Sequence, residues 1–168
     1  MSRQPAEIAR FNDLPDAEAS AVLTTCLDVP RFADEVVTGR PYASLDALEG
    51  RASASAATLS DEELEAALAR HPRIGERAGA GHDAAHSERE QAGVDRSDAE
   101  VLQRLADGNR AYEERFDRVF LIRAAGRDSR EILAELERRL GNDATTERAE
   151  TVEQLRQIAL LRLRQAVS

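Results

Sequence analysis

Apolar residues recur at three- and four-residue intervals along most of this chain, and each periodic stretch is bracketed by residues that start or stop helices. Asp16 opens a stretch in which Ala21, Val22 and Leu23 lead to Cys26, and Pro30 opens the next, where Phe32, Val36 and Val37 share a face before Gly39. Ser44 is placed to cap a helix over 45–56 that carries Leu45, Leu48 and Ala52 at helical spacing. Ser60 and Glu63 form the S-x-x-E pattern of a capping box ahead of Leu64, Ala67 and Leu68. That helix has to end near Arg70, because a residue that precedes proline is driven out of the α region. His71, followed by Pro72, therefore stands just beyond a helix C-terminus.

The second half continues the pattern. Residues 75–83 are rich in glycine without periodicity and read as a loop, and a short helix is expected from Ser87 to about Gly93. A long helix is expected from Ser97 to Phe116, with Leu102, Leu105, Asn109, Tyr112 and Phe116 along one stripe. Val119 to Gly126 has the character of a buried strand or extended stretch. Ser129 is read as the cap of a helix carrying Ile132, Leu133, Leu136 and Leu140, stopped by Gly141 and Asn142. The last helix, Thr146 to Ala166, holds Val152, Leu155, Ile158, Ala159, Leu161 and Leu163. The expected fold is all-α, a single compact multi-helix bundle domain over residues 1–168 with no internal repeat.

Composition narrows the function. A net charge of -9 opposes general affinity for nucleic acid or anionic membrane, and no apolar run approaches a membrane span. The single cysteine, Cys26, permits no intrachain disulfide, which suits a reducing, cytoplasmic setting. All 23 basic residues are arginine, so Schiff-base catalysis on lysine and the P-loop lysine are both excluded. Arginine-codon bias accounts for that composition without changing the exclusion.

Candidate chemistry gathers around His71-Pro72-Arg73-Ile74-Gly75-Glu76 and, sixteen residues after the histidine, Ser87-Glu88-Arg89-Glu90-Gln91-Ala92-Gly93. A histidine at the negative end of a helix dipole near a carboxylate is favoured in its charged form and suited to proton donation. Each element also has a plain structural reading. His71 can be a helix-end residue, Ser87 and Glu90 a capping box, and Asn109 a core amide bonded to backbone. The run Arg156, Arg162, Arg164 reads as a solvated helix face. His82, His86 and Glu90 have i, i+4, i+8 spacing, which keeps a helical metal-dependent hydrolase as an alternative, though glycines 79 and 81 disfavour a helix there. A non-enzymatic helical interaction module is the other alternative.

Taken together, the His71-to-Glu76 run, Ser87-x-x-Glu90-Gln91-x-Gly93, Asn109-x-x-Tyr112-x-x-x-Phe116 and Phe120-Leu121-Ile122-Arg123-Ala124-Ala125-Gly126-Arg127 resemble the 2-oxo-4-hydroxy-4-carboxy-5-ureidoimidazoline (OHCU) decarboxylase family. Phe11-Asn12-Asp13-Leu14-Pro15, Arg40-Pro41-Tyr42 and Leu161-Arg162-Leu163 extend the resemblance over nearly the whole chain. It implies a helical homodimer that needs no cofactor or metal and converts its substrate to (S)-allantoin and carbon dioxide in urate catabolism. It also implies His71 as the catalytic proton donor, with Glu90 beside it. By the same resemblance Pro72, Ser87, Gln91, Phe120, Leu121, Ile122, Arg123, Ala124 and Arg162 contact the substrate. Two departures are visible: Asp117 stands where the family pattern usually has glycine, and Phe32 where tryptophan is frequent.

Overall fold

The computed structural model describes residues 4–75, 89–94 and 98–168, and every regular element among them is a helix. Glu76, His82, His86, Ser87 and Ser97 lie outside the described residues, and with them most of the expected glycine-rich loop, the proposed metal spacing and the Ser87 end of the capping box. The helices are α1 (Gln4–Asp13), α2 (Asp16–Cys26), α3 (Pro30–Thr38), α4 (Leu45–Ala56), α5 (Asp61–Leu68), α6 (Ala99–Phe116), α7 (Ser129–Arg139) and α8 (Ala144–Val167). The chain forms two compact units, one of residues 1–67 with 155–168 and one of residues 68–154, so that α8 contributes to both. No helix among the described residues is long and apolar enough to cross a membrane.

In the first unit α2 packs on α3 and α3 on α4, burying Leu23, Phe32, Val36 and Leu48. The helix starts follow the expected chemistry. Ser44 Oγ accepts from the Ala47 amide at 3.1 Å, and the capping box closes in both directions, Glu63 N to Ser60 Oγ at 3.1 Å and Ser60 N to Glu63 Oε1 at 2.9 Å. Helix α1 has no counterpart in the sequence reading, its apolar face being limited to buried Ile8 and Phe11. Two motifs of the resemblance turn out to bind each other: the Asn12 side chain donates to Tyr42 O at 2.9 Å and accepts from Tyr42 N at 2.8 Å. Arg40 donates to the carbonyls of Phe11 and Leu14 at 2.9 and 2.7 Å, so this cluster satisfies the exposed end of α1.

Of the α8 arginines whose spacing suggested a solvated face, Arg164 is exposed as expected, whereas Arg156 is half-buried and Arg162 buried. Arg162 is only 1% exposed and donates to Thr25 O at 3.4 Å, while Arg156 donates to Ser53 Oγ at 2.9 Å and Arg164 pairs with Glu49. A long aliphatic stem lets such residues share an apolar stripe while their guanidinium reaches an oxygen.

In the second unit α6 packs on α7 over a core of Ile74, Val94, Val101, Leu105, Tyr112, Phe120, Ile122, Ala124, Ile132, Leu133 and Leu136. The cap of α6 is Asp98, whose Oδ1 accepts from Val101 N at 3.2 Å. The cap of α7 is Asp128 rather than Ser129: Asp128 Oδ1 accepts from Glu131 N at 2.9 Å, and Ser129 is the buried first helical residue. Helix α8 starts two residues before Thr146, with Asp143 Oδ1 accepting from Thr146 N at 2.7 Å. Residues 119–124 are neither helix nor strand and enter a turn closed by Arg127 N to Ala124 O at 3.0 Å, with Gly126 at φ 79°.

Candidate active site

The helix carrying Leu64 and Leu68 ends where Pro72 requires it to, and the His71 amide donates back to Leu68 O at 3.0 Å. His71 is half-buried and Pro72 buried. The residues that follow are fixed from α6. Arg73 forms a two-pronged ion pair with Glu113, and Asn109 Nδ2 donates to the Ile74 carbonyl at 3.0 Å. Asn109 is thus the backbone-bonded core amide of its structural reading, yet its Oδ1 is buried without a hydrogen-bond partner among the described residues.

Gly75 takes φ 89°, a left-handed value that side chains disfavour, and from there its amide donates to Gln91 Oε1 at 3.1 Å. That bond joins the two halves of the motif, sixteen residues apart in the chain. Arg89 and Glu90 are helical and residues 91–93 form a turn, with Val94 N bonded to Gln91 O at 3.0 Å. Glu90 is half-buried and Gln91 buried. Because Gln91 Oε1 is committed to Gly75, its Nε2 is the side-chain donor it has left for a ligand. At Gly93 the Arg127 carbonyl lies where a Cβ would stand, far inside van der Waals contact. Only glycine lets the 89–94 segment approach the turn after Ala124 this closely.

The segment from Phe120 to Ala124 is held from behind. Phe120 is 1% exposed, edge-on to Tyr112 with ring centroids 5.2 Å apart, and the Arg139 guanidinium lies 4.6 Å from its ring centre. Arg139 Nη1 donates to the Leu121 carbonyl at 2.7 Å, and the Arg123 amide donates to Gln154 Oε1 at 2.9 Å. The Arg123 amide is therefore already engaged, while its Nε is buried without a hydrogen-bond partner among the described residues. Ile122 and Ala124 are buried, and no described residue accepts a main-chain hydrogen bond from either. Arg162 belongs to the other compact unit, whereas His71, Pro72, Glu90, Gln91 and residues 120–124 all belong to this one.

Behind the segment lies a charge network that the sequence reading did not single out. Arg139 and Glu147 form an ion pair whose side chains are each 1% exposed. Tyr112 Oη donates to the same Glu147 Oε1 at 2.5 Å, Asn142 Nδ2 donates to its Oε2 at 3.0 Å, and Thr151 Oγ1 lies 3.3 Å from Arg139 Nη2. Burial, reinforced by the hydrogen bond to Glu147, pushes the Tyr112 phenol up to about 12. A signal was present in the sequence: Arg139 follows Ile132 by seven residues on the buried stripe of α7, and Glu147 precedes Thr151 and Leu155 on that of α8. A charge on an apolar stripe marks either a surface error or a buried pair.

Fold and candidate site define an all-helical protein whose candidate site residues gather where helices end and loops meet. A family model described as OHCU decarboxylase matches residues 12–164. The 2-oxo-4-hydroxy-4-carboxy-5-ureidoimidazoline decarboxylase of Haloferax volcanii is 32% identical over 142 residues, 83% of this chain and 82% of the relative. The protein of the same name from Amia calva is 33% identical over 141 residues, 82% of this chain and 81% of its own length. A crystal structure of OHCU decarboxylase in the presence of (S)-allantoin superposes with TM-score 0.71 at 23% identity, covering 90% of this chain and 97% of the other, and so shares the fold. A structure of (S)-allantoin synthase matches at TM-score 0.72 and 18% identity, over 95% of this chain and 53% of the other. The chain belongs to the OHCU decarboxylase family.

Proposed function

We propose that this protein decarboxylates 2-oxo-4-hydroxy-4-carboxy-5-ureidoimidazoline to (S)-allantoin and carbon dioxide in urate degradation, as a cofactor-independent carboxy-lyase. Membership of the family supports the activity. The observation that carries the site is the Gly75-to-Gln91 hydrogen bond, which makes one structure of the His71 run and the Glu90 turn. One family model spanning 12–164 supports a single domain over residues 1–168. A homodimer in the cytoplasm completes the reading, on the resemblance and the reducing habit of a one-cysteine chain.

The reaction breaks the carbon–carbon bond to the carboxylate. The bonding electron pair passes into a ring conjugated with imine and carbonyl groups, and a proton then adds to the ring carbon from one face. The substrate ring is its own electron sink, so the protein's task is orientation, charge stabilisation and protonation. In this reading His71, on a corner fixed by Pro72, supplies or relays the proton, and Glu90 sets its orientation and charge. Ser87, Gln91 Nε2, main-chain groups of the Phe120, Leu121, Ile122 and Ala124 segment, and the Arg123 guanidinium hold the ring, its carboxylate and the ureido arm. The buried Nε of Arg123, without a hydrogen-bond partner among the described residues, supports that assignment.

The test is turnover of substrate generated in solution from urate, by the wild type and by His71→Ala. Loss of a general acid lowers the rate by roughly a hundred to ten thousandfold with an unchanged far-ultraviolet circular dichroism spectrum. Full turnover by His71→Ala would remove His71 from the chemistry.

A further inference from the structure

We infer that Arg139 and Gln154 are positioning residues of the decarboxylation, setting the main-chain geometry of residues 121–123 from behind; this rests on the function proposed above. Two groups of that segment are tied to side chains of two helices, the Leu121 carbonyl to Arg139 Nη1 on α7 at 2.7 Å and the Arg123 amide to Gln154 Oε1 on α8 at 2.9 Å. The two tied residues flank Ile122, and in a planar trans peptide the carbonyl and the amide hydrogen point in opposite directions, so the Leu121 carbonyl opposes the Ile122 amide and the Arg123 amide opposes the Ile122 carbonyl. Anchoring residues 121 and 123 on the α7–α8 side therefore leaves the Ile122 amide and carbonyl directed away from it. No described residue pairs with this segment as a strand, and those two anchors set its register.

The anchor on α7 is itself rigid. Arg139 Nε donates to Glu147 Oε1 at 2.9 Å, Glu147 accepts from Tyr112 and Asn142 as well, and the guanidinium rests on the Phe120 ring. A guanidinium has five donors in one plane, so a single residue can hold the carboxylate and still direct Nη1 at a carbonyl. Lysine has the charge but not the fork. The buried pair is thus used for geometry, with the Leu121 carbonyl as its output.

The experiment compares Gln154→Leu, Gln154→Glu and Arg139→Lys with the wild type, per folded molecule, below the thermal transition followed by circular dichroism. Gln154 is half-buried, so its leucine variant folds without stranding a buried charge. Gln154→Leu and Arg139→Lys are expected to lower kcat tenfold or more with a smaller change in KM, because misplacement of binding groups is felt most in the transition state. Gln154→Glu, which keeps an acceptor oxygen for the Arg123 amide, restores kcat to within a few fold of wild type. Arg138→Gln, which breaks a neighbouring pair with Glu135 and Glu150, leaves both constants unchanged. A folded Gln154→Leu with wild-type kcat and KM overturns the inference, as does a Gln154→Glu that fails to restore kcat. Should Arg139→Lys not fold, the Gln154 pair decides alone. A wild type that does not accelerate the reaction overturns the proposed function instead.

Discussion

At the scale of single residues, the second unit is organised around charges that have been taken out of water. Arg139 and Glu147 share one buried network, and neither can lose its partner without leaving an uncompensated ion. Arg139→Met is expected to destabilise the protein by about 3–5 kcal/mol in urea titrations. A loss within the range of exposed pairs, below about 1 kcal/mol, would contradict the burial argument. Tyr112 gives a second reading of the same network through pH. Its phenol ionises near 10 ordinarily and is pushed up to about 12 in the fold, chiefly by burial. The neutral form is the one the fold favours, so this contribution is complete below pH 10 and is lost as pH rises from 10 through 12. Between pH about 9 and 11 the wild type should lose roughly 1 kcal/mol more stability than Tyr112→Phe. Equal slopes would show that the phenol titrates no differently in the folded chain. Tyr42, also raised by burial, is present in both proteins and cancels.

At the scale of elements, the candidate site gathers at helix ends, which were also the most legible part of the sequence. Pro72 fixed the stop of α5, the Ser60 and Glu63 pair fixed its start, and Ser44 fixed that of α4, because each rests on backbone chemistry confined to a few neighbouring residues. What the sequence did not disclose depends on contacts between distant segments. Arg139 reaches Leu121 over eighteen residues, and Arg162 is buried rather than exposed on α8. The cap of α7 moved one residue because Asp128 and Ser129 are both good caps, and burial of Ser129 decided between them. Asp117 is the clearest case of a local departure with a visible cost. It closes α6 in the left-handed region, φ 55° and ψ 38°, its amide bonded to Glu113 O at 2.9 Å. Glycine accepts that conformation without a Cβ penalty, which accounts for its place in the family pattern. Asp117→Gly should raise stability by roughly 0.5–1 kcal/mol, the relief of strain exceeding the added freedom of the unfolded chain. A lower denaturation midpoint for the glycine variant would show that the carboxylate compensates for the strain.

At the scale of the whole molecule, an acidic chain without lysine, folded as helices, has most of its described candidate site residues, His71, Pro72, Gln91 and Phe120 to Ala124, in segments between them. Length, composition and periodicity were enough to expect an all-α fold, since that inference averages over many positions. The candidate site was legible only through several ordered motifs agreeing at once; each alone was better explained as a cap or a core amide. Geometry then separated the roles: Gln91 and Asn109 fix the His71 run, Arg139 and Gln154 fix the Leu121 segment, and Asn12, Arg40 and Tyr42 hold a corner of the other unit. The central claim is that one face of a planar, unstable ring is protonated under the control of this site. The direct measurement is optical activity during conversion of urate-derived substrate, with and without the protein in excess. Rapid accumulation of (S)-allantoin is the predicted result; decay at the spontaneous rate to racemic product would contradict the account.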